Sequence, residues 1–212
     1  MTVTADPLLT VDELSFRYPA RPMFDGWSAR FGPGLHWVRG PNGSGKSTLL
    51  KLLGGVLDPI LGRLAAAGVD ASLRPLDYRR QVVWCGPDGV AFDHLSPAEY
   101  FGFLAGLYPR LEATRLRDLA QAMGLAPFLG QRITRLSTGT QRKVAVAAAL
   151  CAGTPVVLLD EPLAALDAAT LAVVRAELLS CARDETRTCI VTSHEPLGAA
   201  EALARTVELA LP

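Results

Sequence analysis

The chain has 212 residues, enough for one domain of ample size or for a domain carrying an inserted subdomain. Half of the residues are hydrophobic and 20% are charged, which favours a packed core over disorder. The formal net charge is zero, which disfavours a surface built for bulk nucleic-acid binding. Only three lysines are present, so arginine carries most of the positive charge. Cys85, Cys151, Cys181 and Cys189 form no C-x-x-C pair and have no histidine at zinc-site spacing, so free thiols in a reducing compartment are expected. Met1 to Asp6 lacks the basic-then-apolar plan of a signal peptide, and no run reaches the roughly 18 apolar residues of a membrane span. Mean hydropathy is nevertheless high, at +0.24; alanine-rich helix and an apolar patch kept for a partner would account for it.

Val11 to Phe31 reads as strands: Leu14, Phe16 and Tyr18 alternate with polar residues, and Pro19-Ala20-Arg21-Pro22 makes a turn. The apolar strand Leu35-His36-Trp37-Val38 leads into a Gly-rich loop, and a helix starts at Thr48-Leu49-Leu50. Asp58-Pro59 and Leu61-Gly62 are loop signals. Gln81 to Cys85 is a short buried strand. From Ser96 to about Ala152 the character is helical. Ser96-Pro97-Ala98-Glu99 is a capping box with proline at the first helical position. A second helix is expected over Arg110 to Met123, ending at Gly124, and Ser137 opens a third. After Pro155 strand and helix alternate again. Val156 to Leu159 is a continuous apolar run, Ala168 to Ala182 a helix, Cys189 to Thr192 a strand, and Val207 to Leu211 a last strand. The pattern is an α/β core interrupted by a helical insertion.

Gly40-Pro41-Asn42-Gly43-Ser44-Gly45-Lys46-Ser47 fits the phosphate-loop pattern G-x-x-x-x-G-K-[ST] at every fixed position, between a strand and a helix as the pattern requires. Its main-chain N–H groups would cradle phosphate oxygens, Lys46 would reach the β- and γ-phosphates, and the Ser47 hydroxyl would bind Mg²⁺. Downstream, an apolar strand ends in Asp160-Glu161, which delivers two carboxylates to the sheet edge beside the loop. In nucleotide hydrolases of this layout the first, Asp160, holds Mg²⁺, and Glu161 is placed to act as general base on the attacking water.

Leu136-Ser137-Thr138-Gly139-Thr140-Gln141 resembles the Leu-Ser-Gly-Gly-Gln signature of ABC-type ATPases. The order of phosphate loop, signature, Asp-Glu strand, Ala165-Leu166-Asp167 and His194 is similar to that family's order over nearly the whole chain. The resemblance implies the ATP-binding subunit of an ABC transporter. The implied fold is a phosphate-loop α/β core with a mainly parallel sheet, an N-terminal antiparallel β subdomain and an inserted helical subdomain. Residues 1–87 and 153–212 would form the catalytic core with its β subdomain, and 88–152 the helical signature subdomain. It further implies that Tyr18 stacks on adenine, that Gly40, Pro41, Asn42, Gly43, Ser44, Gly45, Lys46, Ser47 and Thr48 hold ATP, and that Ser47 and Asp160 hold Mg²⁺. Glu161 and His194 would be catalytic. Ser137 and Gly139, at a helix N-terminus that attracts anions, would face ATP on a second ATPase subunit, and Asp167 would contact that partner's phosphate loop. Separate transmembrane permease subunits are implied as partners, with a cytoplasmic, peripheral location and no nucleic acid.

The chain departs from the family pattern at Thr138, at Thr140 and near Pro87, where the family places a glutamine that contacts Mg²⁺ and the attacking water. Asp88 is the nearest oxygen donor. These departures imply intact ATP binding with slower or differently coupled hydrolysis. The loop after them, from Val90 to Tyr100, is expected to carry Phe92, Leu95, Tyr100 and Phe101 toward a membrane partner. Trp84-Cys85-Gly86 and His194-Glu195-Pro196-Leu197 resemble the haem-exporter subunits of cytochrome c assembly, implying an exporter. Two other readings remain open: an ABC-type ATPase of translation or DNA maintenance without a membrane partner, and a regulatory module that holds ATP but barely turns it over.

Overall fold

A computed structural model describes residues 6–19, 21–87, 92 and 94–211. The first layer is an antiparallel sheet of four strands in the order β2-β1-β4-β5, formed by β1 (Leu9–Tyr18), β2 (Arg21–Phe31), β4 (Leu61–Ala66) and β5 (Val69–Asp70). In β1 the buried residues are Leu9, Val11, Leu14 and Phe16, so the alternation changes parity between Val11 and Leu14. A β-bulge lies there, with Glu13 at φ 51°, and the extra residue returns Leu14 to the buried face. Leu61-Gly62, expected as a loop, instead opens β4, because Leu61 pairs with Ser15 across that irregular part of β1.

The second layer is a five-stranded sheet, β6-β7-β8-β3-β9, with every pair parallel. It contains β3 (Gly34–Arg39), β6 (Val82–Cys85), β7 (Val156–Asp160), β8 (Thr188–Thr192) and β9 (Arg205–Glu208). The last strand begins before the expected Val207, since its register against β3 starts at the pair His36–Arg205. β7 is buried along its whole length. Val157 and Leu159 face one core, shared with α5 (Thr138–Leu150) and α6 (Ala168–Arg183). Val156 and Leu158 face another, shared with α1 (Lys46–Leu53) and the first sheet. A strand covered on both faces needs no polar alternation, which is why it reads as an unbroken apolar run.

In the chain α2 (Pro75–Arg79) precedes β6, and α3 (Pro97–Leu107) and α4 (Ala113–Ala122) lie between β6 and β7. The expected capping box is formed: Ser96 Oγ accepts from Glu99 N at 3.3 Å, and Ser96 N donates to the Glu99 carboxylate at 2.8 Å. α4 starts later than the expected Arg110. The chain first turns, with Leu111 N donating to Tyr108 O, and Glu112 N is taken by Cys151 O. All four cysteines are buried free thiols, and burial pushes Cys85 and Cys151 up to about 12. Among the described residues, no helix is long and apolar enough to cross a membrane.

Candidate nucleotide site

Parallel strands bring their C-terminal ends to one edge of the sheet, and ligands of open α/β sheets bind outside that edge. The glycine-rich segment leaves β3 there and enters α1. Gly40 needs its missing side chain: a Cβ would stand 2.5 Å from Leu209 O and 2.6 Å from Ser44 Oγ. Ser44 Oγ is buried with no hydrogen-bond partner among the described residues. Lys46 Nζ folds back over the loop and donates to Gly40 O at 2.8 Å and Pro41 O at 3.2 Å. Neutral carbonyls are weaker partners for an ammonium than phosphate oxygens, so this arrangement yields to an incoming anion.

A cleft of about 360 Å³ opens over this loop. Asn42, Gly43, Gly45, Lys46, Ser47 and Thr48 form its floor, Tyr18 stands on one side, and Glu161 and His194 stand on the other. Tyr18 Oη is 3.4 Å from Thr48 Oγ1, which ties the aromatic to the first turn of α1. A neighbouring cavity of about 470 Å³ is bounded by Gly40, Pro41, Lys46, Ser193 and His194. Arg21 and Met23 also line the cleft, and Arg21 donates to Gly43 O at 2.9 Å. By sequence Arg21 belongs to the Pro19-Ala20-Arg21-Pro22 turn. In the fold it begins β2, which carries it back over the loop, and only the hairpin pairing could have revealed that.

The carboxylate side is built by register. Asp160, at the end of β7, lies opposite Thr192, at the end of β8. Thr192 Oγ1 donates to Asp160 Oδ1 at 2.7 Å and accepts from Glu161 N at 3.0 Å. Glu161 sits at φ 51°, a left-handed conformation that is rare for a residue with a side chain and frequent at functional sites. Its Oε2 accepts from the main-chain N–H of His194 at 3.1 Å, and its Oε1 lies 3.6 Å from His194 Nε2. Thr192 was visible in the sequence only as a strand residue, because its role depends on which residue of β7 it faces.

Asp160 is fully buried, and its Oδ2 has no hydrogen-bond partner among the described residues. An orphaned anionic oxygen in such a place is costly unless a cation meets it. With the Ser47 hydroxyl and the oxygens of a bound phosphate it would supply the hard oxygen donors that Mg²⁺ takes. The residues therefore fit the metal.

Ser137, Gly139 and Asp167 do not line this cleft. Ser137 caps α5, accepting from Thr140 N at 3.2 Å, and its hydroxyl pairs with Thr140 Oγ1 at 2.8 Å. Thr140 thus supports the cap. At Gly139 a Cβ would stand 2.8 Å from Ala165 O, so the signature helix and the Ala165-Leu166-Asp167 loop approach too closely for a side chain. The Asp167 carboxylate caps α6 through Thr170 N at 2.9 Å and pairs with Lys143 Nζ at 2.6 Å. Lys143 and Thr170 together hold it well below the usual carboxylate range. Gln81 lies at the opposite, N-terminal end of β6 and donates to Asp77 O at 3.3 Å. Asp88, Gly89 and Val90 lie outside the described residues. Of the aromatics expected to face a partner, Phe92 is exposed and 6.1 Å from Tyr100, while Tyr100 and Phe101 pack partly against the core.

A phosphate loop at the C-terminal edge of a parallel sheet, faced across one cleft by a carboxylate–histidine pair, defines a nucleotide-hydrolysing α/β protein. Comparison with known proteins narrows that class. The family model described as ABC transporter matches residues 30–164. The chain is 32% identical, over 98% of its length and 97% of the relative's, to the cytochrome c biogenesis ATP-binding export protein CcmA of Pseudomonas savastanoi pv. phaseolicola. It is 31% identical, over 96% of its length and 88% of the relative's, to the thiamine import ATP-binding protein ThiQ of Shigella boydii. A solved ATP-binding subunit of an ABC transporter superposes with a TM-score of 0.84 at 26% identity, covering 95% of this chain and 85% of that one. A putative ABC transporter ATP-binding protein from Pyrococcus furiosus shares the fold, with a TM-score of 0.75 at 24% identity over 95% of this chain and 96% of that one. The chain belongs to the ABC transporter family, among its ATP-binding subunits, and is an ATPase.

Proposed function

We propose that the chain is the ATP-hydrolysing motor of an exporter, pairing head to tail with a second ATPase subunit around two ATP–Mg²⁺ and driving separate membrane subunits from the cytoplasmic face. The observation that carries the catalytic part is the Glu161 carboxylate, anchored by the His194 amide on the same cleft as Lys46 and Ser47. Tyr18 stacks on the adenine. Lys46 exchanges its two carbonyl partners for the β- and γ-phosphates, and the N–H groups of the loop and of the first turn of α1 cradle the oxygens. Ser47 and Asp160 would hold Mg²⁺, which would supply neutralisation of phosphate charge. Glu161 takes the proton of the attacking water, and His194 positions that water and the γ-phosphate.

Pairing is supported by Ser137 and Gly139, which stand at the start of α5 away from their own cleft, with no acidic residue in that turn. A partner's phosphate is the anion that this end of a helix suits. Asp167 serves the pairing through the position of its loop, since its carboxylate is engaged within the chain. Residues 88–152 act as the helical signature subdomain on a core of 1–87 and 153–212. Export is supported by the likeness to CcmA, an export protein covered over 97% of its length. Pro87, in place of the family glutamine, supports hydrolysis slower than the family's usual rate.

Light scattering of Glu161→Gln with ATP and Mg²⁺ tests the reading. The expected result is a shift from monomer to dimer that is absent with ATP and chelator, beside Mg²⁺-dependent phosphate release by the wild type. A monomer at every ATP concentration, also when the membrane subunits are supplied, sinks the pairing. Phosphate release by Glu161→Gln equal to the wild type sinks the catalytic assignment.

A further inference from the structure

Arg142 lies on α5, five residues into the helix that Ser137 caps, and is only 6% exposed. Its guanidinium donates to three main-chain carbonyls: Nη1 to Gly86 O at 2.8 Å and Asp160 O at 3.4 Å, and Nη2 to Pro87 O at 2.5 Å. Burying a guanidinium on neutral acceptors is expensive, and an apolar residue of similar volume would fill the same space at lower cost. The three acceptors explain the charge. Gly86 and Pro87 directly follow β6, and Asp160 ends β7, so one planar fork joins two strand ends to the signature helix. Pro87 offers no N–H and no side-chain donor or acceptor, so its carbonyl is the one polar group by which it can be held.

We infer that Arg142 is a positioning residue for ATP hydrolysis: it clamps the Gly86–Pro87 turn and the end of β7 to α5, so that Asp160 and Glu161 are held at the cleft and a movement of the turn reaches Ser137 and Gly139. The inference rests on the catalytic reading above. Arg142 lines neither cavity over the phosphate loop; it acts through the two strand ends.

The turn has a built-in reporter. The Trp84 ring packs against Gly86, 2.5 Å from where a Cβ on Gly86 would stand. In protein labelled with 5-fluorotryptophan, ¹⁹F NMR follows Trp84 separately from Trp27 and Trp37. Arg142→Lys keeps a charge without the fork, and Arg142→Met keeps bulk without either. The expected result is a kcat lowered by about tenfold to a hundredfold, the scale of a small misplacement of catalytic groups, with KM for ATP within about twofold. An ATP-induced shift of the Trp84 resonance is expected in the wild type, reduced in Arg142→Lys and lost in Arg142→Met; its absence from the wild type would overturn the coupling. A wild-type kcat and a retained Trp84 shift in a folded variant would overturn the inference. So would loss of folding in both variants, which marks a purely structural arginine. If the wild type shows no Glu161-dependent hydrolysis, the catalytic reading fails instead, and the Trp84 shift alone decides whether Arg142 couples the turn to the site.

Discussion

The phosphate loop that floors the cleft and the carboxylate edge that walls it are built by opposite means. Gly40 to Ser47 is a single run of eight residues whose geometry is set by its own glycines and by the helix it enters. The opposing side joins Asp160 and Glu161 to Thr192 and His194, about thirty residues later, through the parallel register of β7 and β8. The first side can bind an anion by itself. The second does nothing until the sheet is assembled, so binding should be robust to damage on the second side, and hydrolysis should not.

The sharpest way to break that comparison is a pair of substitutions. Glu161→Gln is expected to lower kcat by about 10²–10⁴, the usual worth of a general base, while leaving the Kd for ATP unchanged. Lys46→Ala is expected to weaken ATP binding by about 1.5–3 kcal/mol, the range for hydrogen bonds to charged groups. Isothermal titration beside phosphate-release kinetics reads both, and equal loss of affinity in the two variants would dissolve the division of labour. Thr192→Val comes next. It removes the donor to Asp160 Oδ1, leaving a fully buried carboxylate unpaired, and should cost about 1–3 kcal/mol of stability in Mg²⁺-free protein. Saturating Mg²⁺–ATP should restore part of that loss in a thermal melt; a melt insensitive to Mg²⁺ would show that Asp160 Oδ2 does not meet the ion.

Smaller effects belong to parts remote from the cleft. Ser96→Ala removes the cap of α3 and should cost about 1 kcal/mol without changing ATP affinity, as denaturant titration would show. His36 supplies the smallest. Burial, with a contribution from nearby Arg205, holds its pKa below the ordinary 6.5, while its bond to Gly32 O acts the other way. The folded state therefore keeps the ring neutral where the unfolded chain takes up a proton. Stability should be fully present above about pH 6.5 and should fall as pH drops from there toward the folded pKa. His36→Gln should flatten the slope in that window, and an unchanged slope would assign it to other groups.

The features legible in advance share a physical character. The phosphate loop, the Ser96–Glu99 box and the Ser137 and Asp167 caps are local, with donors and acceptors within a few residues of one another. The buried strand at Val156 to Leu159 was legible because burial on both faces leaves a continuous apolar run. What was misread depended on pairing. Leu61-Gly62 carries loop residues but becomes strand because β1 offers it an edge. Arg21 sits beside a proline-rich turn but swings over the nucleotide cleft once β2 pairs back on β1.

The sequence alone determined the triphosphate-binding loop, the two carboxylates at a strand end and the order of motifs that marks the family, because each is a contiguous run whose chemistry is complete in itself. Only the tertiary structure decided that Thr192 holds the Asp160 carboxylate and the Glu161 main chain, that the Asp167 side chain is spent on Lys143 and its own helix, and that Arg142 ties the Gly86–Pro87 turn to the signature helix. Register and burial are properties of segments distant in the chain, and no local pattern encodes which residue a strand end will face.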